Sequence, residues 1–326
     1  MSGLLTILYI AEADPTAAVL SSGVLAQMVD EAPRARITVV GSPESALLFR
    51  DTPGLDRLLV LPSDSKADWV KLWDRLKGRR WGVVVDMRGS KLSDWLKRDR
   101  RAVFAPSVEP VHAVEAACEV LKMDKPVAPR LFFGEAVLAA ADALVGSRPE
   151  PILAVGPGVD WIGKRWPSER FTKVAAAMLG EGGPMAGGRL LLVGTGEDRD
   201  AAHTIRFAVS RDRVIEAQGK LDLLETAAAL RHARLFVGGD SIWTQLAVAA
   251  GVPAVGIYGP SDETLTRPWT GVAVRGSRSL DEFRAIDPGL SQHIQHMMDV
   301  AVEPVIAAAQ NLFRATELPV LEPAHG

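Results

Sequence analysis

Cysteine is almost absent: the chain of 326 residues has only Cys118, so no disulfide can form within it. That scarcity fits a reducing compartment. No apolar run is long and charge-free enough to span a bilayer. The opening stretch MSGLLTILYIAEADP has no basic flank, and Glu12 and Asp14 interrupt its apolar run, so it reads as a first strand and not as an export signal. The expected location is the cytoplasm or the cytosolic side of a membrane. A basic excess is also missing. Lysine and arginine number 37 against 40 acidic residues, a net charge of −3, which argues against a nucleic-acid partner. Of the six histidines, His293 and His296 lie close together, but no cysteine or acidic cluster joins them; no metal site and no cofactor are expected. No repeat of solenoid length is visible.

What is present is a regular alternation of strand and helix patterns. LLTILYI, ARITVV, DRLLVL, WGVVVD and RAVFA read as strands in the first half; ILAVGP, RLLLVG, RVIEA, RLFVGG and PAVGIYG do so in the second. TAAVLSSGVLAQMVDE, KADWVKLWDRLK, SERFTKVAAAML, EDRDAAHTIRFAV, LDLLETAAALRH and DSIWTQLAVAA read as the helices between them. Apolar strands buried on both faces and joined by helices imply parallel sheets with right-handed crossovers. The period breaks once, at GSRPEPILAV, where Gly146, Pro149 and Pro151 cluster. The fold class expected is α/β, with one doubly wound domain over residues 1–148 and a second over 149–326, facing a cleft. Ligands in such sheets bind beyond the carboxyl ends of the strands. The final stretch ATELPVLEPAHG is expected to pack loosely.

GVDWIGKRWP, residues 158–167, comes close to a Walker A loop but has Arg165 where a magnesium-binding hydroxyl belongs. Trp166-Pro167 follows at once, and proline disfavours helix at the residue before it. The helix should therefore begin at Pro167, leaving Lys164 and Arg165 on an extended loop over a diphosphate that needs no metal. Further on, a strand ends at Gly238-Gly239 and Asp240-Ser241 opens a helix, whose first-turn amides form a natural anion site. The next strand ends at Gly259-Pro260-Ser261, on the same sheet edge.

Together these stretches resemble glycosyltransferase family 9, the bacterial heptosyltransferases. ILAVGPGVDWIGKRWPSERF, LLLVGTGEDRDAA and LFVGGDSIWTQLAVAAGVPAVGIYGPSDETLTRPW carry the likeness most specifically, and ILYIAEADPTAAVLSSGVLAQM and WGVVVDMRGSKLSDWLKRDRRAVF extend it to the first half. The resemblance implies a GT-B fold of two Rossmann-like domains and an inverting, metal-independent transfer from a nucleotide-sugar. The donor, typically ADP-heptose, would lie on the second domain. An acidic glycolipid or glycan acceptor would lie on the first, with peripheral contact to the inner membrane. Lys164 would meet the donor diphosphate with Arg165; Asp240, Ser241 and the amides after them would hold sugar or phosphate; Glu197 would bind ribose.

Two departures stand out. The family's D-[ST]-G-x-x-H reads Asp240-Ser241-Ile242-Trp243-Thr244-Gln245, so Gln245 stands in for a phosphate-facing histidine. The family's Gly-Asp pair after the first strand, whose Asp is the presumed base, reads Thr16-Ala17, and its Arg reads Ala11. Inverting transfer needs the acceptor hydroxyl deprotonated, and a carboxylate is the usual agent. Glu12 and Asp14 lie in the same loop, although Asp14 before Pro15 also suits a helix cap. Asp86, ending WGVVVD, faces the same edge. A protein with a relocated base and a degenerate nucleotide-sugar-binding scaffold both remain compatible with these residues; an epimerase fits the motifs less well. On the acceptor side, Trp69, Leu72, Trp73 and Leu76 form one helical stripe. Those tryptophans and Trp95 read first as core, amid many basic residues. Arg88 and Lys91, nearest the sheet edge, are the acceptor candidates.

Overall fold

A computed structural model describes residues 4–107 and 109–317. Of the stretch expected to pack loosely, residues 318–326 lie outside these, while its first residues close a helix.

Two parallel sheets form the frame. The first contains β1 (Thr6–Ile10), β2 (Arg36–Gly41), β3 (Leu55–Val60), β4 (Trp81–Asp86) and β5 (Arg98–Val103), in the order β3-β2-β1-β4-β5. The second contains β6 (Ile152–Gly156), β7 (Arg189–Leu192), β8 (Val214–Glu216), β9 (Ala233–Gly239), β10 (Ala254–Tyr258) and β11 (Gly271–Arg275), in the order β11-β10-β9-β6-β7-β8. Each order reverses once, between β1 and β4 and between β6 and β9, and at such a reversal the chain leaves neighbouring strands in opposite directions and opens a crevice. The fold is therefore the two-domain, Rossmann-like α/β architecture.

Three boundaries differ from the sequence expectation. The strand read as RAVFA begins at Arg98 and ends at Val103, because Arg100 and Arg101 pair with Val83 and Val84 of β4. The helix read as continuous from Thr16 splits into α1 (Pro15–Leu20) and α2 (Ser22–Glu31). Ser21 between them turns its hydroxyl back to the Ala17 carbonyl, 2.9 Å away, a contact that competes with the helical ladder. β11 was not expected; its short, half-exposed GVAVR pairs with β10 as an edge strand.

Helices cover both sheets. α3 (Lys66–Leu76) is capped by Ser65 and buries Leu72 and Leu76. α4 (Ala113–Glu119) and α5 (Glu135–Val145) follow, then α6 (Ser168–Leu179), α7 (Arg199–Ile205), α8 (Leu223–Leu230) and α9 (Ile242–Ala249). Beyond them lie α10 (Glu263–Thr266), α11 (Leu280–Ile286) and α12 (Val302–Glu317), the last returning over β9, β10 and β11.

The two sheets are joined through helices. α1 packs on α9, and α5 on α8, so one buried cluster runs from Val19 and Val24 through Val137 and Ala141 to Leu224 and Leu246. At its margin Arg50 Nη1 lies 2.8 Å from the Asp222 carboxylate. His112 caps α4 by accepting the Val114 amide at Nδ1, so its Nε2 carries the proton and donates to the Arg267 carbonyl at 2.9 Å.

Behind the second sheet, Trp166 is 1% exposed, meets Phe171 edge-on at 4.8 Å and donates its indole N–H to the Val300 carbonyl at 2.9 Å. Trp166→Ala removes that anchor and leaves a cavity, so urea unfolding is expected to record a loss of about 3–5 kcal/mol.

Candidate active site

The carboxyl ends of the four strands at the two reversals carry most of the candidate residues. β1 leads into Ala11 and Glu12, and β4 ends at Asp86 with Arg88 close behind. In the second sheet β6 leads into the Lys164 loop and β9 into Asp240 and Ser241. The loop after β1 feeds α1, and Asp240-Ser241 feeds α9. α1 and α9 pack on one another.

On the first edge, Asp14 caps α1: its Oδ1 accepts the Ala17 amide at 2.8 Å. Ala17 sits in that first turn, half-buried, where it offers only a methyl group. Glu12 differs from Asp14 in every respect that matters to proton transfer. It is half-buried, and among the described residues its carboxylate has no hydrogen-bond partner. Burial pushes its carboxyl up to about 7; Arg88 opposes this, and Asp86 and Asp14 add to it. Asp86 is fully buried and already engaged, accepting the Arg88 amide at 3.0 Å and the Ser90 hydroxyl. Burial raises its carboxyl despite those bonds. Arg88 lies 5.3 Å over the Trp69 ring, pairs with Asp64 through Nη2, and leaves Nη1 buried without a partner. Lys91 is exposed.

On the second edge the Lys164 loop is not extended. Residues Ile162–Lys164 make a 3-10 turn, closed by the Lys164 amide on the Trp161 carbonyl at 3.0 Å. The physical reason is Gly163: the Trp161 ring folds so closely over it that a Cβ there would sit 2.3 Å from the ring. The proline stops the helix as expected, but Pro167 precedes α6 instead of opening it. Trp161 is steadied in turn by a bond from its indole N–H to the Gln292 carbonyl, 2.8 Å, and by His296, buried between Trp161 and Phe283.

The turn brings Lys164 Nζ to 3.1 Å from Asp240 Oδ2 and 3.3 Å from Asp160. Burial lowers the ammonium pKa, but the two carboxylates outweigh that and hold it above its ordinary value. Asp240 is 9% exposed and also accepts the Thr266 hydroxyl at 3.1 Å. It does not cap α9. Ser241 is the capping residue by position, yet its hydroxyl makes no capping bond and lies buried without a partner.

Gln245 departs furthest from expectation. It is fully buried, and its amide donates to the Thr266 carbonyl at 2.7 Å, so that hydrogen is not free for a phosphate. The Tyr258 hydroxyl donates to the same carbonyl at 2.7 Å. One backbone group thus receives two buried donors, while the Thr266 hydroxyl holds Asp240. Glu197 is exposed in the 3-10 turn Gly196–Asp198 after β7, and Arg165 is exposed beside Lys164. The Thr266 hub is what sequence reading missed; the only signal for it was a tyrosine ending an apolar strand eight residues upstream. Among the described residues no group of three or more His, Cys, Asp or Glu side chains is disposed to hold a metal.

The ion pair makes a prediction. Lys164→Met leaves Asp240 buried without its counter-ion and is expected to cost about 1–3 kcal/mol in urea unfolding. Adding Asp240→Asn should recover much of that loss, because the stranded charge is then gone.

Residues 55–282 match glycosyltransferase family 9 (heptosyltransferase). The chain is 24% identical over 236 residues to lipooligosaccharide heptosyltransferase 2 of Haemophilus influenzae, a match covering 65% of this chain and 63% of that relative's length. The fold superposes on a family 9 glycosyltransferase from Veillonella parvula with a TM-score of 0.77, 19% identity and 97% and 99% of the two chains covered. On the Escherichia coli ADP-heptose LPS heptosyltransferase II the TM-score is 0.73, with 17% identity and 96% and 100% covered. With the family match spanning well over half of its length, the chain belongs to glycosyltransferase family 9.

Proposed function

We propose that this protein is an inverting, metal-independent heptosyltransferase that moves heptose from ADP-heptose to an acidic lipopolysaccharide-core or other surface-glycan acceptor in the cytoplasm. The observation that carries this reading is Glu12, an unpartnered, half-buried carboxyl whose pKa is raised to about 7, on the loop that leads into α1, the helix packed on α9. The E. coli fold neighbour is by its name an ADP-heptose enzyme, which supports the choice of donor.

In this reading residues 1–148 receive the acceptor and residues 149–326 the donor. The acceptor hydroxyl oxygen bonds to the anomeric carbon as the bond from that carbon to the diphosphate oxygen breaks. Glu12 takes the hydroxyl proton, and the electron pair of the broken bond leaves on the β-phosphate of ADP. A base acts best when its pKa lies near the working pH, and Glu12 meets that condition, while Asp14 is committed to its cap. Lys164 neutralises the departing diphosphate, with Arg165 as a second, exposed cation. Asp240 repels phosphate, so its part is to fix Lys164 and accept sugar hydroxyls, while the Ser241 hydroxyl has a hydrogen to give. Glu197 accepts from ribose. Gln245 acts at one remove, through Thr266 and Asp240. Arg88, whose Nη1 lacks a partner, and Lys91 meet the anionic groups of the acceptor.

The sign of the pH dependence follows from the raised carboxyl: the basic form accumulates as pH rises through about 7. For the wild type, kcat/KM is expected to climb through that range. Glu12→Gln should abolish the rise and lower kcat by about 100- to 10,000-fold. Asp14→Asn should leave the rate near wild type, and Asp14→Ala should cost about 1 kcal/mol of stability as a lost cap. Wild-type turnover in Glu12→Gln would end the assignment. In a separate thermal-shift measurement ADP should stabilise the wild type, and this stabilisation should vanish in Lys164→Ala.

A further inference from the structure

Residues 287–297, between α11 and α12, touch the Lys164 turn at three points. The Gln292 carbonyl accepts the Trp161 indole N–H at 2.8 Å, and the Gln295 side-chain amide donates to the Arg165 carbonyl at 3.3 Å. The third point is His296, whose ring centre lies 5.6 Å from that of Trp161 and 5.5 Å from that of Phe283 in α11. His296 is 1% exposed, a position that a polar ring keeps only when something holds it there.

One carboxylate holds it. Asp287, also fully buried, accepts the Gln292 amide at 2.8 Å through Oδ2, and the same oxygen lies 3.6 Å from His296 Nε2. Asp287 therefore fixes both neighbours of Trp161: the residue whose carbonyl receives the indole and the ring packed against it. Among the described residues His296 Nε2 and Asp287 Oδ1 have no hydrogen-bond partner. A buried carboxylate is costly alone, and the imidazole facing it offsets part of that cost. At the far end of the segment, Met297 packs its sulfur so closely on Gly259 that a Cβ there would overlap it. The segment is thus pinned to the turn after β10 as well as to the turn after β6.

The Lys164 turn depends on an indole folded over Gly163, and that indole is only half-buried, so its neighbours must keep it in place. We propose that the imidazole of His296, itself held by Asp287, positions Lys164: it wedges the Trp161 ring over Gly163 and so fixes the ammonium group beside Asp240, where the donor diphosphate meets it. His296 is a positioning residue, acting through Trp161. That a diphosphate binds there rests on the function proposed above; the placing of Lys164 does not.

The Trp161 indole N–H reports on the wedge without any ligand. Its nitrogen-15 resonance is assigned by its absence in Trp161→Phe, and its exchange with water should be about tenfold or more faster in His296→Ala than in the wild type. The double variant His296→Phe with Asp287→Asn keeps a flat ring and an acceptor for the Gln292 amide without a stranded charge, and should restore the wild-type rate to within about twofold. His293→Ala, exposed on the same segment, should leave it unchanged. In thermal unfolding, Lys164→Met should lower the Tm of His296→Ala by about half as much as that of the wild type, or less, because Lys164 no longer sits on Asp240 there. By calorimetry, ADP affinity should fall about tenfold or more in His296→Ala and recover in the double variant. If His296→Ala does not unfold cooperatively, His296→Leu, which fills the space without a flat ring, replaces it throughout. Unchanged indole exchange, an undiminished effect of Lys164→Met, or a double variant that restores nothing would each overturn the proposal. So would unchanged ADP affinity in His296→Ala when the wild type binds ADP. If the wild type binds no ADP, the functional reading fails, and the indole exchange and the paired unfolding measurements still decide this one.

Discussion

The contact between α1 and α9 is the constraint on which the rest depends. Each helix starts just beyond a strand at the reversal point of its own sheet, and each carries reactive side chains at that start. Packing the two helices together joins the two sheets next to the crevices that a doubly wound sheet opens. The apolar residues responsible, among them Val19, Leu246 and Trp243, belong to one buried cluster shared by both halves. A polar tie at Arg50–Asp222 and the His112 bond to the Arg267 carbonyl fix the same arrangement from the margins. No single side chain makes the site. In the proposed reading it takes side chains from both sheets.

Within that space charge is distributed unequally. The second edge holds an ammonium between two carboxylates, a set with one negative charge in excess. The first edge holds carboxyls crowded at Glu12, Asp14 and Asp86 with Arg88 as their principal counter-charge. Burial raises the carboxyls of Glu12 and Asp86 there. Asp14 is exposed and committed to a cap, and Asp86 is bound by Ser90 and the Arg88 amide. Glu12 is the one without hydrogen bonds to stabilise its ionised form, and burial pushes its carboxyl up to about 7. With Ala17 at the family's usual base position, the raised Glu12 carboxyl on the same loop supports the proposed reading in which the proton-accepting group is displaced along the loop.

The alternation of apolar runs made both sheets legible from the residues, down to the strand ends that carry the site. Parallel strands buried on both faces leave a strong local pattern; the edge strands β5 and β11 do not, since charged or half-exposed residues form them. Lys164 and Asp240 were legible as lying at one sheet edge, because glycines, a proline and a cap marked the two turns. Their direct pairing was not, as it depends on a tryptophan folding over Gly163. Gln245 was misread for a related reason. Its neighbour Thr266 lies 21 positions away and is reached only through the packing of residues 260–269 against α9. Trp95, read as core, is 73% exposed, because Leu92 and Leu96 take the buried positions of its segment.

The central claim is that the fold holds the Glu12 carboxyl in a state from which it can take a proton near neutral pH. It is tested most directly by following the carbon-13 resonance of the Glu12 side-chain carboxyl through a pH titration, assigned by its absence in Glu12→Gln. The account expects a midpoint near 7. A midpoint at the ordinary value of 4.5 would contradict it.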